Sequence, residues 1–168
     1  VETWPNSVVG PFFRRDFIFY DKQDNVICRG VSGWLLLSSE TMRPQRADRL
    51  SFELPFNEGK SALETFPDRL NGLADKAVFS KKILYNEIDV NNHVNNTRYL
   101  DWVMDCFDSV HFQTHDLKSF SLEFLGEMRW GDEVELMSGE EGTSFHIQAI
   151  NLQTGKIAFK ADVVWEKS

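Results

Sequence analysis

The run Asp89-Val90-Asn91-Asn92-His93-Val94-Asn95-Asn96-Thr97-Arg98-Tyr99-Leu100, preceded by Tyr85-Asn86-Glu87-Ile88, is where a polar cluster and a helix meet. Amides, carboxylates and an imidazole crowd together here, with Ile88, Val90 and Val94 threaded between them. A solvated loop has no need of those apolar residues, and a strand core does not tolerate so many unpaired polar groups. The composition predicts a partly buried polar site. Asp89, Asn91 and His93 alternate, and in an extended segment alternate side chains share one side. A carboxylate, an amide and an imidazole then face one place, while Val90 and Val94 anchor the other. Asn95 or Asn96 reads as a helix N-cap. Leu100, Val103, Phe107 and Val110 follow at three- and four-residue steps, which predicts a helix over roughly residues 95–112. Thr97, Arg98, Asp101, Asp105 and Asp108 mark its wet face. Backbone N–H groups left free at a helix start can receive a negatively charged oxygen. Base, polar orienters and oxyanion donors in one place fit hydrolysis of an acyl bond. The competing reading is structural: an Asn-rich turn before a helix, with a histidine that only packs.

Around this run the pattern is mostly strand. Residues 77–84, 119–125, 133–138, 144–152 and 156–165 alternate or are bounded by turn residues such as Trp130-Gly131-Asp132, Gly139-Glu140-Glu141-Gly142 and Thr154-Gly155. Strand, helix, then four antiparallel strands is an α+β design with one long helix against one sheet. Upstream, residues 12–20 and 26–37 predict a long hairpin, with a bulge or sharp coiling at Gly30 and Gly33. Val1 to Trp4 reads as a strand end and Asn6 to Gly10 as a turn. Residues 38–76 lack a sustained period. Pro44, Pro55 and Pro67 mark them as a surface linker, with a short helix at 47–51. So long a connection is better taken as a domain boundary. The expected division is 1–38, linker 39–76, and a complete domain at 77–168. The first part also echoes the end of the chain: Val1-Glu2-Thr3-Trp4 parallels Val134-Glu135-Leu136-Met137, and Trp34 closes one hairpin as Trp165 closes the other. Such self-similarity predicts a duplicated unit, the first copy lacking roughly 55 to 60 residues at its front.

The chain has 168 residues, 42% hydrophobic and 13% aromatic, which suits one or two globular domains. Fourteen Phe and five Trp are enough to line an acyl pocket, though core packing accounts for most of them. A net charge of −8 argues against nucleic acid as a partner. No apolar run approaches the ~20 residues of a membrane span. Cys28 and Cys106 form neither a metal spacing nor a disulfide framework and fit a reducing, cytoplasmic setting. No residue spacing calls for a metal, and no glycine-rich phosphate loop appears. His111 and His115 are expected to cap the helix C-terminus, and His146 to sit on a strand face. The catalytic partner of His93 stays open on the residues alone: Glu123, Glu127 and Glu133 all qualify, and a bulge at Gly126 would change the strand phase.

The run at 89–100 resembles the signature of the acyl-acyl-carrier-protein thioesterases in their bacterial form. A looser His-Val-Asn-Asn-x-x-Tyr version occurs in other hotdog-fold thioesterases. Leu122-Glu123-Phe124-Leu125-Gly126-Glu127-Met128 is similar to the later family block in which a Glu precedes a Cys in plant members. Thr3-Trp4-Pro5 and Arg15-Asp16-Phe17 also look like the family. The resemblance implies a tandem hotdog fold with the first copy cut at its N-terminal side. It implies hydrolysis of a fatty acyl thioester on acyl carrier protein, with no cofactor. It selects Glu127 as general base or nucleophile, with His93, Asn91 and Asp89 as its partners. Amides near Asn95 and Asn96 would stabilise the oxyanion. Met128 stands where plant members have Cys, and a thioether cannot form a thiolate. Any mechanism therefore runs on a carboxylate. Lys81, Lys82, Arg98, Lys118 and Arg129 are candidates for a basic patch that meets the acidic carrier. A homodimer is compatible with all of this. The alternatives are an acyl-CoA thioesterase of the broader hotdog group and a non-catalytic acyl-binding hotdog.

Overall fold

In the computed structural model, which describes residues 1–41, 43–47, 55–57 and 59–168, the chain divides into two compact units, Val1–Asp68 and Arg69–Ser168. The division falls inside the stretch expected as linker. The short helix expected at 47–51 lies almost wholly outside the described residues.

The first unit is a three-stranded antiparallel sheet in the order β1 (Glu2–Val9), β2 (Phe12–Tyr20), β3 (Val26–Trp34). β1 runs on to Val9, where a turn at residues 6–10 was expected. Pro5 is tolerated because the pairing with β2 slips between Pro5 and Ser7, and the turn is made at Gly10, with φ +59. The covered face carries Trp4, Asn6, Arg14, Asp16 and Ile18. Asn57 and residues 60–63 lie over it. Asn57 N–H donates to Pro5 O at 2.9 Å, and Trp4 Nε1 and Asn6 Nδ2 both donate to Lys60 O at 2.8 Å. The β2–β3 slip falls between Phe19 and Tyr20, not at the glycines. Gly33 has another reason: a Cβ there would stand 2.5 Å from the ring of Phe66.

The second unit is a five-stranded antiparallel sheet with helices, the expected α+β arrangement. The strand order is β4 (Lys76–Lys82), β6 (Glu133–Glu141), β7 (Ser144–Asn151), β8 (Lys156–Lys167), β5 (His115–Phe124). Alternation puts Val134, Leu136, Ile147, Ala149, Phe159, Ala161, Val163 and Trp165 on one buried face. Helix α1 (Asn96–Met104) packs there through Tyr99, Trp102 and Val103. The rings of Tyr99 and Trp102 lie 5.1 and 6.4 Å from that of Phe159.

The expected single helix is two. α1 ends at Met104 with Asp105 as its C-cap, Cys106 and Phe107 close tighter i→i−3 turns, and Asp108 starts α2 (Ser109–Thr114) by accepting from His111 N–H at 2.8 Å. An Asp side chain that captures a backbone amide favours a new N-cap over helix continuation. The apolar stripe also differs from the one read: Leu100 and Val110 are exposed, and Tyr99 and Trp102 take the core positions. His111 does not simply cap. It sits in the last turn of α2 against Trp165 and Phe145, and stacks on His115 at 4.3 Å.

Residues 70–74 cross the other, polar face of this sheet. Leu70 N–H donates to Glu123, Lys160 Nζ to Leu70 O, and Gln148 Nε2 to Ala74 O at 3.0 Å. Gly72 and Gly139 allow the approach, since a Cβ at either would stand 1.9 Å from His146 or from Leu73 O. His146 is held beneath by Asp162 at 2.7 Å.

Candidate active site

The motif loop is not extended. Tyr85–Glu87 forms one 3-10 turn, and an isolated bridge then pairs Ile88 with Val94. Between them Asp89 N–H donates to His93 O at 2.8 Å and Asn92 N–H to Asp89 O at 3.1 Å. Asn92 takes the left-handed conformation (φ +62), which Asn tolerates better than most residues. The expected alternation therefore rests on a geometry the loop does not have. The loop closes on Asp89, which gathers Asn91 and the His93 backbone. Asp89 Oδ1 accepts from Asn91 N–H at 2.8 Å and His93 N–H at 3.2 Å, and Oδ2 accepts from Asn91 Nδ2 at 3.4 Å. Partial burial pushes the Asp89 carboxyl up, but these donors and the His93 ring outweigh it and hold it below the usual range. Val94 anchors the loop, fully buried. Val90 does not: it is 97% exposed.

A buried carboxylate that sequence reading did not single out supports this loop. Glu87 accepts from Leu84 N–H at 2.8 Å and from Trp102 Nε1 at 2.9 Å, and pairs with Lys81. Its backbone carbonyl receives Asn95 N–H at 2.8 Å. Burial raises its pKa, and the three donors together pull it below the ordinary value. One signal was available: a Glu three residues after the start of a turn commonly reaches back to the first free amide.

Glu127 reaches the loop from the other side. β5 ends at Phe124, and Leu125 and Gly126 both donate to Ala158 O, at 2.8 and 2.9 Å. Met128 O receives Val94 N–H at 2.8 Å, and the Met128 side chain is fully buried. Further on, Arg129 N–H donates to Asp132 Oδ2 at 2.9 Å, and Asn151 Nδ2 holds the same oxygen at 3.1 Å. With the backbone pinned on both sides, Glu127 projects outward and its Oε2 lies 3.1 Å from His93 Nε2. Glu123, by contrast, faces the segment at residue 70. Asp89, Asn91, His93 and Glu127 are thus linked as a chain: Asn91 to Asp89, Asp89 to the His93 backbone, His93 to Glu127.

The expected N-cap is found, while the expected oxyanion amides and basic patch are altered. Asn95 is the N-cap, accepting from Thr97 N–H at 3.0 Å and Thr97 Oγ1 at 2.9 Å. Asn95 N–H and Arg98 N–H are also engaged, by Glu87 O and Asn95 O, each at 2.8 Å. The expected basic patch is largely neutralised, since Lys81 pairs with Glu87, Arg98 with Asp101, Lys118 with Glu166 and Arg129 with Glu127. Tyr99, beneath the site, has its hydroxyl pushed up to about 12 by burial, and Cys106 is likewise pushed up to about 12, so neither ionises near neutrality. Among the described residues no helix is long and apolar enough to cross a membrane.

An antiparallel sheet laid around one central helix, with an acid–imidazole pair beside the start of that helix, defines a hotdog-fold domain. The chain belongs to the acyl-ACP thioesterase family: the sequence model described as "Acyl-ACP thioesterase C-terminal domain" matches residues 74–167. It is 29% identical over 157 residues to oleoyl-acyl carrier protein thioesterase 2, chloroplastic, of Arabidopsis thaliana, covering 84% of this chain and 42% of that protein. It is 30% identical over 135 residues to a chloroplastic dodecanoyl-[acyl-carrier-protein] hydrolase of Umbellularia californica, covering 76% of this chain and 35% of that protein. The chain therefore spans less than half the length of these curated relatives. Among solved structures it is similar to an acyl-ACP thioesterase from Bacteroides thetaiotaomicron (TM-score 0.85, 25% identity, 98% of this chain and 67% of that one). It shares its fold with the 12:0-ACP thioesterase from Umbellularia californica (TM-score 0.80, 24% identity, 99% of this chain and 66% of that one).

Proposed function

We propose that this chain carries the hydrolytic site of a thioesterase that releases fatty acids from acyl carrier protein. The observation that carries this reading is the outward-facing Glu127 carboxylate, 3.1 Å from His93 Nε2, on a backbone pinned by buried Met128. Glu127 takes a proton from water, and the hydroxide adds to the thioester carbonyl carbon. The amides of Asn95, Thr97 and Arg98 already have partners, so among the first amides of α1 we assign the oxyanion to the Asn96 N–H. Collapse breaks the carbon–sulfur bond, and the proton held by the Glu127–His93 pair passes to the leaving thiolate. Water and thioester give carboxylic acid and thiol, with no cofactor in the balance. Asp89 and Asn91 act by shaping the loop that presents His93. Burial of Met128 removes the adjacent position from the chemistry altogether. The two free cysteines suit a reducing compartment such as the cytoplasm.

The test uses the protein at full length with matched substrates, one acyl chain on carrier protein and the same chain on coenzyme A. Faster hydrolysis of the carrier-bound substrate is expected. Preference for coenzyme A would move the protein to the broader hotdog group. Tight acyl binding with no hydrolysis of either would leave a binding module. The pairing of Lys81, Arg98, Lys118 and Arg129 with carboxylates makes the carrier the point most worth testing.

A further inference from the structure

Two aromatic side chains near Glu127 in the chain are left in the open. Tyr85 is 79% and Trp130 68% exposed, and their rings meet edge to face at 6.3 Å and 87°. Leu84, next to Tyr85, is exposed as well. Single exposed apolar residues are ordinary, but touching rings with a leucine beside them form a surface for something to cover. The backbone beneath them is fixed. Gly131 N–H donates to Ile83 O at 3.1 Å and Ile83 N–H to Asp132 O at 2.9 Å, which joins the two turns. Ile88 N–H closes the Tyr85 turn at 3.2 Å, and Glu87 holds Leu84 N–H at 2.8 Å. Each ring therefore offers a large contact area and loses little conformational freedom on binding.

We propose that Tyr85 and Trp130 seat the amide-bearing thiol arm that carries the acyl group, the arm common to acyl carrier protein and coenzyme A. Position supports this occupant. Trp130 follows Glu127 by three residues, so its Cα lies within about 11 Å of the Glu127 Cα. The substrate stays tethered to a carrier too large to enter the site. The arm is therefore the part that crosses exposed surface on its way to Glu127. An acyl chain gains most from enclosure, and rings this exposed do not enclose one. The polar ends of the two side chains favour the arm again. Among the described residues the Tyr85 hydroxyl and Trp130 Nε1 have no hydrogen-bond partner. An O–H and an N–H can bond the arm's amides while the rings cover its methylenes. A hydrocarbon chain can use neither.

The inference rests on the thioesterase reading above, but its first readout is binding alone. Full-length protein is labelled with fluorotryptophan, and the Trp130 fluorine signal is assigned from Trp130→Phe. An S-alkyl pantetheine, a thioether that cannot be hydrolysed, should shift that signal. The ethyl thioether of the same alkyl chain, which has no arm, should leave it in place. In turnover, Trp130→Ala should raise KM about tenfold for acyl-pantetheine, acyl-coenzyme A and acyl carrier protein alike, with kcat changed less than about twofold. The S-ethyl thioester of the same acid should change less than about twofold in kcat/KM. Tyr85→Phe, which keeps the ring and loses the hydroxyl, should cost about threefold on the arm-bearing substrates. An equal loss on the S-ethyl thioester would make the pair a seat for the acyl chain. A loss confined to acyl carrier protein would make it a contact for the carrier's surface. Either result overturns the proposal, and so does a Trp130 signal that S-alkyl pantetheine does not move. A shifted signal with no hydrolysis of any thioester would sink the thioesterase reading and leave the arm site standing.

Discussion

Asp16 in the first unit and Glu127 in the second each face an arginine, and their surroundings differ in one respect. Asp16 is fully buried and its oxygens are filled: Arg14 donates twice, at 2.6 and 2.8 Å, Ala62 N–H donates at 2.7 Å, and Asn6 Nδ2 lies at 3.4 Å. Arg14 also donates to Leu63 O at 2.6 Å. The pair bonds internally and also holds Ala62 and Leu63 against the sheet. Glu127 is 57% exposed and has a 3.1 Å contact to His93 and a looser 3.8 Å contact to Arg129. A saturated carboxylate in a dry place is structural, because moving its proton would break several bonds at once. An unsaturated one at the surface can exchange protons without unfolding anything. Glu87, saturated yet adjacent to the motif loop, belongs with Asp16.

The largest effect expected from this contrast is on stability in the first unit. Asp16→Ala strands a buried guanidinium, which costs about 3–5 kcal/mol, read by chemical denaturation. A loss below about 1 kcal/mol would mean the pair contributes little and the contrast fails on that side. Next, Glu127→Gln and His93→Ala should each lower turnover of the full-length protein by on the order of 10²-fold, about 2.7 kcal/mol, while barely moving the melting temperature. A destabilised Glu127→Gln with normal activity would reverse the two roles. Met128→Leu should cost less than about 1.5 kcal/mol, as a volume-conserving swap in a packed site, and leave activity within about threefold. Abolished activity in a folded Met128→Leu protein would put the thioether back into the chemistry. The smallest change is read against pH. The Glu87 carboxyl is held below its ordinary value by its donors, so the stability it contributes is present above that ordinary value and is lost as pH falls through the lowered one. In Glu87→Gln the acid side of the unfolding curve should be flatter than in the native protein. An unchanged acid slope would show that burial cancels the donors.

Much of the second unit was readable in the residues. The strands at 133–141, 144–151 and 156–167 follow from alternation bounded by turn residues, and the turns at Gly142 and Gly155 need the positive φ that glycine supplies. The Asn95 cap was legible because a short amide side chain before a helical period has one common use. The polar composition at 86–96 marks the loop that closes on Asp89 and presents His93. Hydrogen-bond topology was not readable. The Asp89 loop closes on itself because its side chain outcompetes strand pairing for local amides. The loop is braced by Glu87, whose bond from Trp102 requires α1 to be docked. The break between α1 and α2 is similar. The apolar period ran straight through residues 105–108, and the helix stops because Asp108 captures His111 N–H while Phe107 turns in toward Trp165 at 5.2 Å.

Sequence by itself determined the α+β class, the strand and turn punctuation of residues 130–167, and the presence of a polar site at a helix start. Those follow from local periodicity and backbone preference. It named Glu127 only through resemblance, since three glutamates were equivalent in spacing. The tertiary structure separated Glu127 from Glu123: the hydrogen bonds from Leu125 and Gly126 N–H to Ala158 O and the burial of Met128 carry residue 127 to His93, while Glu123 is left on the sheet's other face. It also decided that most of the expected basic patch is paired with carboxylates. Neither outcome is written in any short stretch, because each depends on which distant backbone and side-chain groups fill a given hydrogen bond.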